Sequence, residues 1–197
     1  MPRGGNPWDG EAGRRFAEGR DRTVAGVVRT HLVDRQLRGH LAPPPAEVVD
    51  VGGGAGTQAI PLARRGHHVT VVDPSSAMLA RAGDALAKEP AEVAERVRLV
   101  RAAAHEAPDA VGAGRFAGVL CHGVIPYLDD PGTAVAALCA LARPGGTVSL
   151  LAKNRAALAV RPAVEGRWTD ALAAFDADHE INQLGLRTRG DTVESLT

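Results

Sequence analysis

The sequence predicts a doubly wound α/β fold on a mostly parallel sheet. Three observations carry this. Short apolar stretches of strand length alternate with stretches of helical spacing, a glycine-rich turn follows the first strand, and an acid ends the second. Such alternation places helices on both faces of a parallel sheet, because each parallel connection must cross back over it.

Residues 1–22 are polar and Gly-rich and read as an N-terminal arm or lid, with Trp8 and Phe16 able to pack down. Val24, Val27, Val28, Leu32, Leu37 and Leu41 give residues 23–41 helical spacing, and Pro43, Pro44 and Pro45 stop that helix. Strands are predicted at 47–51, 69–72, 97–101, 116–121 and 147–152. Helices are predicted at 57–65, ended by Gly66, at 75–88, capped by Ser75 or Ser76, and at 133–143. Asp129 and Asp130 read as a turn with Pro131, and Pro144-Gly145-Gly146 as another.

After Asn154 the pattern changes. Residues 155–178 read as one or two helices carrying Trp168 and Phe175, residues 185–190 as a polar loop, and a further helix is expected from Asp191. Sheets of this class ordinarily continue with more strands. The closing C-terminal strands are therefore expected to be missing and the chain to be truncated at Thr197. The division is 1–22 arm or lid, 23–154 core, and 155–197 helical insert or acceptor region, incomplete.

A length of 197 residues suits one domain. With 45% hydrophobic and 23% charged residues, the composition is that of an ordinary globular chain. A formal net charge of +0 argues against a general polyanion binder, so no DNA partner is expected. No apolar run approaches the roughly 20 residues of a membrane span. The first residues lack a secretory apolar region, so no membrane partner and a cytoplasmic location are expected. Cys121 and Cys139 have no metal or redox spacing. Both read as buried small hydrophobes, and no metal is expected. Oligomeric state stays open.

The chemistry concentrates in Asp50-Val51-Gly52-Gly53-Gly54-Ala55-Gly56, where the first strand hands over to a helix, and in Asp73 after the second. Gly52 is free to take the positive φ of a sharp turn, and Gly54 and Gly56 let a ligand approach the backbone. The following helix offers free N–H groups, and an acid in the place of Asp73 accepts ribose hydroxyls in doubly wound folds. A dinucleotide site needs G-x-G-x-x-G with its first Gly at the strand end. From Gly52 the sixth position is Thr57, and the frame from Gly54 begins too late. The D-x-G-x-G-x-G form fits without adjustment and points to S-adenosylmethionine (SAM) in a Rossmann-like core. An NAD(P)-dependent oxidoreductase and a turn that binds nothing are the alternatives.

These residues, with Arg65-Gly66-His67, Arg143-Pro144-Gly145-Gly146 and Asn154, resemble class I SAM-dependent methyltransferases. More narrowly, the chain resembles the tRNA 5-carboxymethoxyuridine methyltransferase family, which esterifies a carboxylate on the wobble uridine. Ala59-Ile60, Ser75, Met78, Arg81-Ala82, Cys121-His122-Gly123-Val124, Asp130-Pro131 and Trp8-Asp9 with Phe16 carry that likeness. The resemblance implies cofactor contacts from Arg29 at the amino-acid end, Gly53 and Gly54 as backbone cradle, and Asp73 on the ribose. It implies Ala104 and His105 on the adenine side and His122 beside the cofactor. With Asp50, Gly52, Gly56 and Pro74 these form the candidate cofactor set, and His122 is the candidate for any catalytic role. Without the resemblance, Arg29 reads as a surface charge and His105 as a loop residue, while His67 and His68 read as structural. After Trp168 the likeness fades, and the basic run expected there shrinks to Arg187 and Arg189.

The expected reaction is methyl transfer from SAM to a small molecule or to a wobble-modified tRNA carboxylate. A SAM-binding protein without catalysis is the alternative. A carboxylate acceptor is already ionised at pH 7 and needs no general base. The acceptor is expected beyond the ends of strands four and five, between His122, Asn154 and the insert over 155–180. There Trp168 and Phe175 are placed to stack on a base, and Arg155, Arg161 and Arg167 to meet phosphates. The plainer reading makes those aromatics core and those arginines solvated.

Overall fold

The computed structural model describes residues 6–20 and 23–196. Of the arm, residues 1–5 and 21–22 lie outside the described residues, as does Thr197. Helix α1 spans Glu11–Arg20 and α2 spans Val24–His40, the latter capped by Thr23, whose hydroxyl accepts from the Gly26 N–H. Then come β1 (Glu47–Val51), α3 (Ala59–Arg64), β2 (His68–Val72), α4 (Ser76–Leu86), α5 (Ala91–Ala94), β3 (Val97–Val100), α6 (Ala107–Val111), β4 (Phe116–His122), α7 (Pro131–Leu141) and β5 (Ala142–Leu151). The five strands pair in parallel in the order β3-β2-β1-β4-β5, which is the doubly wound sheet the alternation predicts. The order reverses direction at β1 and β4, so a crevice opens beyond their carboxyl ends.

Side-chain alternation along the strands feeds two cores. Val49, Val51, Val119 and Cys121 pack with Leu138 and Leu141 of α7, while Val48, Val69, Val71 and Leu120 pack with Leu62 of α3 and with Val33 and Leu37 of α2. Burial pushes the Cys121 thiol up to about 12, which makes it an inert packing group. Cys139 departs from expectation and is exposed on α7.

Three further expectations are corrected. The Pro144-Gly145-Gly146 stretch is a turn, with Gly145 at φ 73°, but it interrupts β5 instead of preceding it: Phe116 faces Ala142 and Gly118 faces Thr147. Residues 185–190 are not all loop: Arg187–Arg189 is a strand, β7, paired antiparallel with β6 (His179–Ile181). No helix starts at Asp191, because its N–H donates to Lys153 O (2.7 Å) and its carbonyl accepts from Arg155 N–H (3.0 Å), an extended bridge beside the end of β5. Between β5 and β6 lie two short helices, α8 (Val160–Val164) and α9 (Trp168–Ala174), as the sequence suggests. No helix among the described residues is long and apolar enough to cross a membrane.

Candidate functional site

The glycine turn forms as its residues require. Gly52 (φ 72°) and Gly54 (φ 55°) occupy the left-handed region, where a side chain is strained. Asp73 closes the turn from the next strand. Its Oδ2 accepts from the Gly54 N–H at 3.0 Å and its Oδ1 from the Ser75 N–H at 2.9 Å. Burial, opposed by these hydrogen bonds, raises the Asp73 carboxyl above its usual range. Ser75 caps α4 by accepting from the Met78 N–H at 3.1 Å.

Beyond the ends of β1 and β4 lies a cavity of about 490 Å³, within the range of small-molecule sites. Gly52, Gly53, Gly54, Asp73, Pro74 and His122 of the candidate set line it. His122 ends β4, and its Nε2 sits 3.0 Å from Ser149 Oγ of β5, which fixes the ring. The other candidates lie elsewhere. Asp50 is buried behind the turn, where a Cβ on Gly53 would meet its Oδ2 at 2.7 Å. Gly56 faces Ile60 and Ala82. Ala104 and His105 lie on a single helical turn outside the wall, with His105 exposed. Arg29, half-buried on α2, is not among the residues that line the cavity.

The cavity is roofed by segments the sequence did not join. Asn6, Pro7, Trp8 and Phe16 of the arm line it from one side. The arm is tied down by Asp9, whose Oδ1 accepts from Ser75 Oγ (2.7 Å) and the Ala77 N–H (3.2 Å) at the start of α4. Those hydrogen bonds hold the Asp9 carboxyl below its usual range. Arg81 also donates to Gly13 O at 2.8 Å. The Trp8 ring meets Phe16 edge-on at 5.4 Å and Tyr127 at 4.8 Å. The Tyr127 hydroxyl in turn accepts from Asn182 Nδ2 at 3.1 Å, which draws in the β6–β7 hairpin, and Leu186 and Arg187 complete the lining.

The insert is not part of this roof, and its aromatics are neither core nor cavity lining. Trp168 and Phe175 are both 68% exposed and outside the cavity wall. Arg161 is paired with Glu165, and Arg167 with Glu165 and Asp170. Tyr127 was missed, although a lone tyrosine just past the fourth strand is a signal the sequence offers.

The cavity fits a SAM-sized nucleoside ligand. A Cβ on Gly54 would come within 2.9 Å of Met78 Cε, so the turn keeps bare backbone where a ligand approaches, beside a carboxylate suited to ribose hydroxyls.

Residues 48–146 match the family model described as a methyltransferase domain. The chain is 30% identical over 161 residues to the tRNA 5-carboxymethoxyuridine methyltransferase of Escherichia coli (strain K12), covering 78% of this chain and 60% of that protein. It is 33% identical over 126 residues to the ubiquinone biosynthesis O-methyltransferase of Xanthomonas campestris pv. campestris (strain B100), covering 64% and 51%. Among solved structures, the glycopeptide N-methyltransferase MtfA complexed with SAM superposes with a TM-score of 0.56 at 28% identity, over 64% of this chain and 55% of that one. The chain thus spans between half and two-thirds of the length of these relatives.

Proposed function

The chain belongs to the methyltransferase domain family, and from that membership we propose that it is an enzyme transferring a methyl group from SAM to an acceptor. The observation that carries this reading is the Asp73 carboxylate, held by the Gly54 and Ser75 N–H groups at the wall of the cavity. Each of its oxygens keeps a lone pair for a ribose hydroxyl.

Bound SAM supplies a methyl group activated by a positively charged sulfur. The chain's own part is positioning and exclusion of water. The glycine turn admits the ligand, Asp73 orients its ribose, and the Trp8, Phe16 and Tyr127 rings suit a cation near their faces. His122, fixed by Ser149, is placed at the strand end to orient an acceptor or take its proton.

For the acceptor we favour a small molecule. The wall is apolar and aromatic through Val124, Tyr127, Leu128 and Leu186, and the insert arginines Arg161 and Arg167 are engaged by carboxylates. The likeness to the Escherichia coli enzyme supports a tRNA carboxylate as the second reading.

Calorimetry with SAM and S-adenosylhomocysteine tests the first step, with micromolar binding expected, and no binding by the wild-type chain ends the reading. Labelled SAM is then offered with an RNA-free metabolite pool or with wobble-modified tRNA. Label in the metabolite pool with little salt dependence supports the small molecule, and label in tRNA with steep salt dependence supports the second reading. Binding without turnover on either leaves a SAM-binding protein without catalysis.

A further inference from the structure

Helices α8 and α9 invert the usual arrangement of a surface helix. Their buried residues are Pro162 and Ala171. The large apolar side chains face out instead: Val160 and Val164 on α8, and Trp168, Leu172 and Phe175 along α9 and its cap. A helix packed on its own core does the reverse. Val160 and Val164 are four residues apart, and Leu172 and Phe175 follow Trp168 by four and seven, so each set shares one helix face. The two helices pack on each other across the turn at Gly166 (φ 74°). None of the five side chains lines the cavity described above.

Area and charge select what covers this face. A tryptophan or phenylalanine buries about 150–250 Å² when fully covered, so each ring, 68% exposed, still offers on the order of 100–170 Å². With the three aliphatic side chains, the apolar surface is on the order of 500 Å², a size that marks an interaction site. Set against its own copy, it covers about 1,000 Å² in total, and that meets what a specific interface needs. From Val160 to Phe175 the charged residues are Arg161, Arg167, Glu165 and Asp170, two of each sign, and they pair among themselves. Such a neutral rim has no surplus of basic residues to attract nucleic-acid phosphates or anionic lipid headgroups. It meets an identical rim without like-charge repulsion.

We propose that the α8–α9 face is a homodimer interface, with Trp168 and Phe175 of each protomer packed into the same surface of the other. The contact is isologous, so one patch serves both protomers and the assembly closes at two. Two aromatic anchors inside a polar rim give it the anatomy of such an interface. The proposal stands apart from the methyl-transfer reading and does not depend on it.

Sedimentation equilibrium of the purified chain over a range of concentrations tests it. The wild type is expected to dimerise with a Kd of about micromolar order. Trp168→Asp and Phe175→Asp each place a charge in the contact and are expected to weaken dimerisation by roughly 30-fold or more. Trp168→Phe keeps a ring and is expected to retain most of the affinity. Because both side chains are largely exposed, circular dichroism of these variants is expected to match wild type. Val28→Asp, on the exposed side of α2, is the control and is expected to dimerise like wild type. A parallel run with vesicles of phosphatidylcholine and phosphatidylglycerol is expected to show no co-sedimentation. A wild type that stays monomeric at every concentration overturns the proposal. So does a dimer that survives both aspartate substitutions, or one that Val28→Asp disrupts equally, since either places the contact elsewhere. Monomers that co-sediment with the vesicles also overturn it and assign the face to a membrane surface.

Discussion

The floor and the roof of the cavity are built on different principles. The floor, residues 52–57 and 73–78, lies inside the segment matched by the methyltransferase family model and consists of backbone held in turns, with Asp73 bridging two strand ends. The roof draws on residues 6–16, the turn after β4 and the β6–β7 hairpin, and only the turn lies within that segment. It is closed by single side-chain contacts: Trp8 on Tyr127, Tyr127 with Asn182, and Asp9 on the start of α4. A floor made of backbone conformation has no room to adapt, so damage to it reaches folding and affinity together. A roof made of separate weak contacts gives way one contact at a time, and damage there changes how long a ligand stays.

The largest effect should come from Gly52→Ala. The new Cβ has to sit at a φ of 72° and 2.2 Å from Val124 Cγ2. Left-handed strain and overpacking together should cost about 2–5 kcal/mol of stability, read by denaturant unfolding. A midpoint equal to wild type would show that the floor can flex and would erase the contrast.

Asp73→Ala comes next and should weaken SAM by about 1.5–3 kcal/mol in calorimetry. Its pH dependence sharpens the point. The ionised carboxylate is the form that accepts ribose hydroxyls, and burial raises its pKa above the usual 3.8. Wild-type affinity should therefore fall on acidification at a pH above 3.8, and the fall should be absent in Asp73→Ala. The same shift has the opposite sign for the empty fold. A raised carboxyl binds its proton more tightly when folded, so its contribution to stability is present below 3.8 and lost as pH rises through the raised value. Loss of binding toward acid is thus separable from loss of fold through this group.

The same division decides what the sequence could show. The sheet was legible because its central strands are near-continuous apolar runs, as in Val48-Val49 and Val119-Leu120-Cys121, and β1, β2 and β4 are buried on both faces. The glycine turn and Asp73 were legible because the chemistry sits in consecutive residues whose types are forced by φ and by ligand approach. The roof was not legible, because Trp8, Tyr127 and Asn182 meet only after the chain has wound the whole sheet, and no local period records that meeting. Arg29 shows the limit of local pattern: the spacing predicts its helix, and the side chain does not line the cavity. The β6–β7 hairpin was hidden for another reason. Its strands are three residues each and polar, and they are held by Lys153, Glu180, Arg189 and Asp191 instead of an apolar pattern.

The smallest expected effect decides whether the roof shuts as one piece. Trp8 and Asn182 each contact Tyr127, the first through its ring and the second through its hydroxyl. Trp8→Ala removes two edge-on aromatic pairs, with Tyr127 and with Phe16, and Asn182→Ala removes the hydrogen bond to Tyr127 together with those its Oδ1 accepts from the Leu184 and Leu186 N–H groups, each contact worth about 0.5–1.5 kcal/mol. If Tyr127 links arm and hairpin into one lid, releasing either side already frees the ring, and the second substitution adds less. The double variant should then fall short of the sum of the singles by about 0.5 kcal/mol or more, seen in stopped-flow dissociation of S-adenosylhomocysteine. Tyr127→Phe keeps the ring pair with Trp8 and loses only the hydroxyl, so it should cost less than Asn182→Ala, which also releases the Leu184 and Leu186 N–H groups. Strict additivity in the double variant would mean that the arm and the hairpin open independently, and the roof would then be two flaps that happen to meet at one residue.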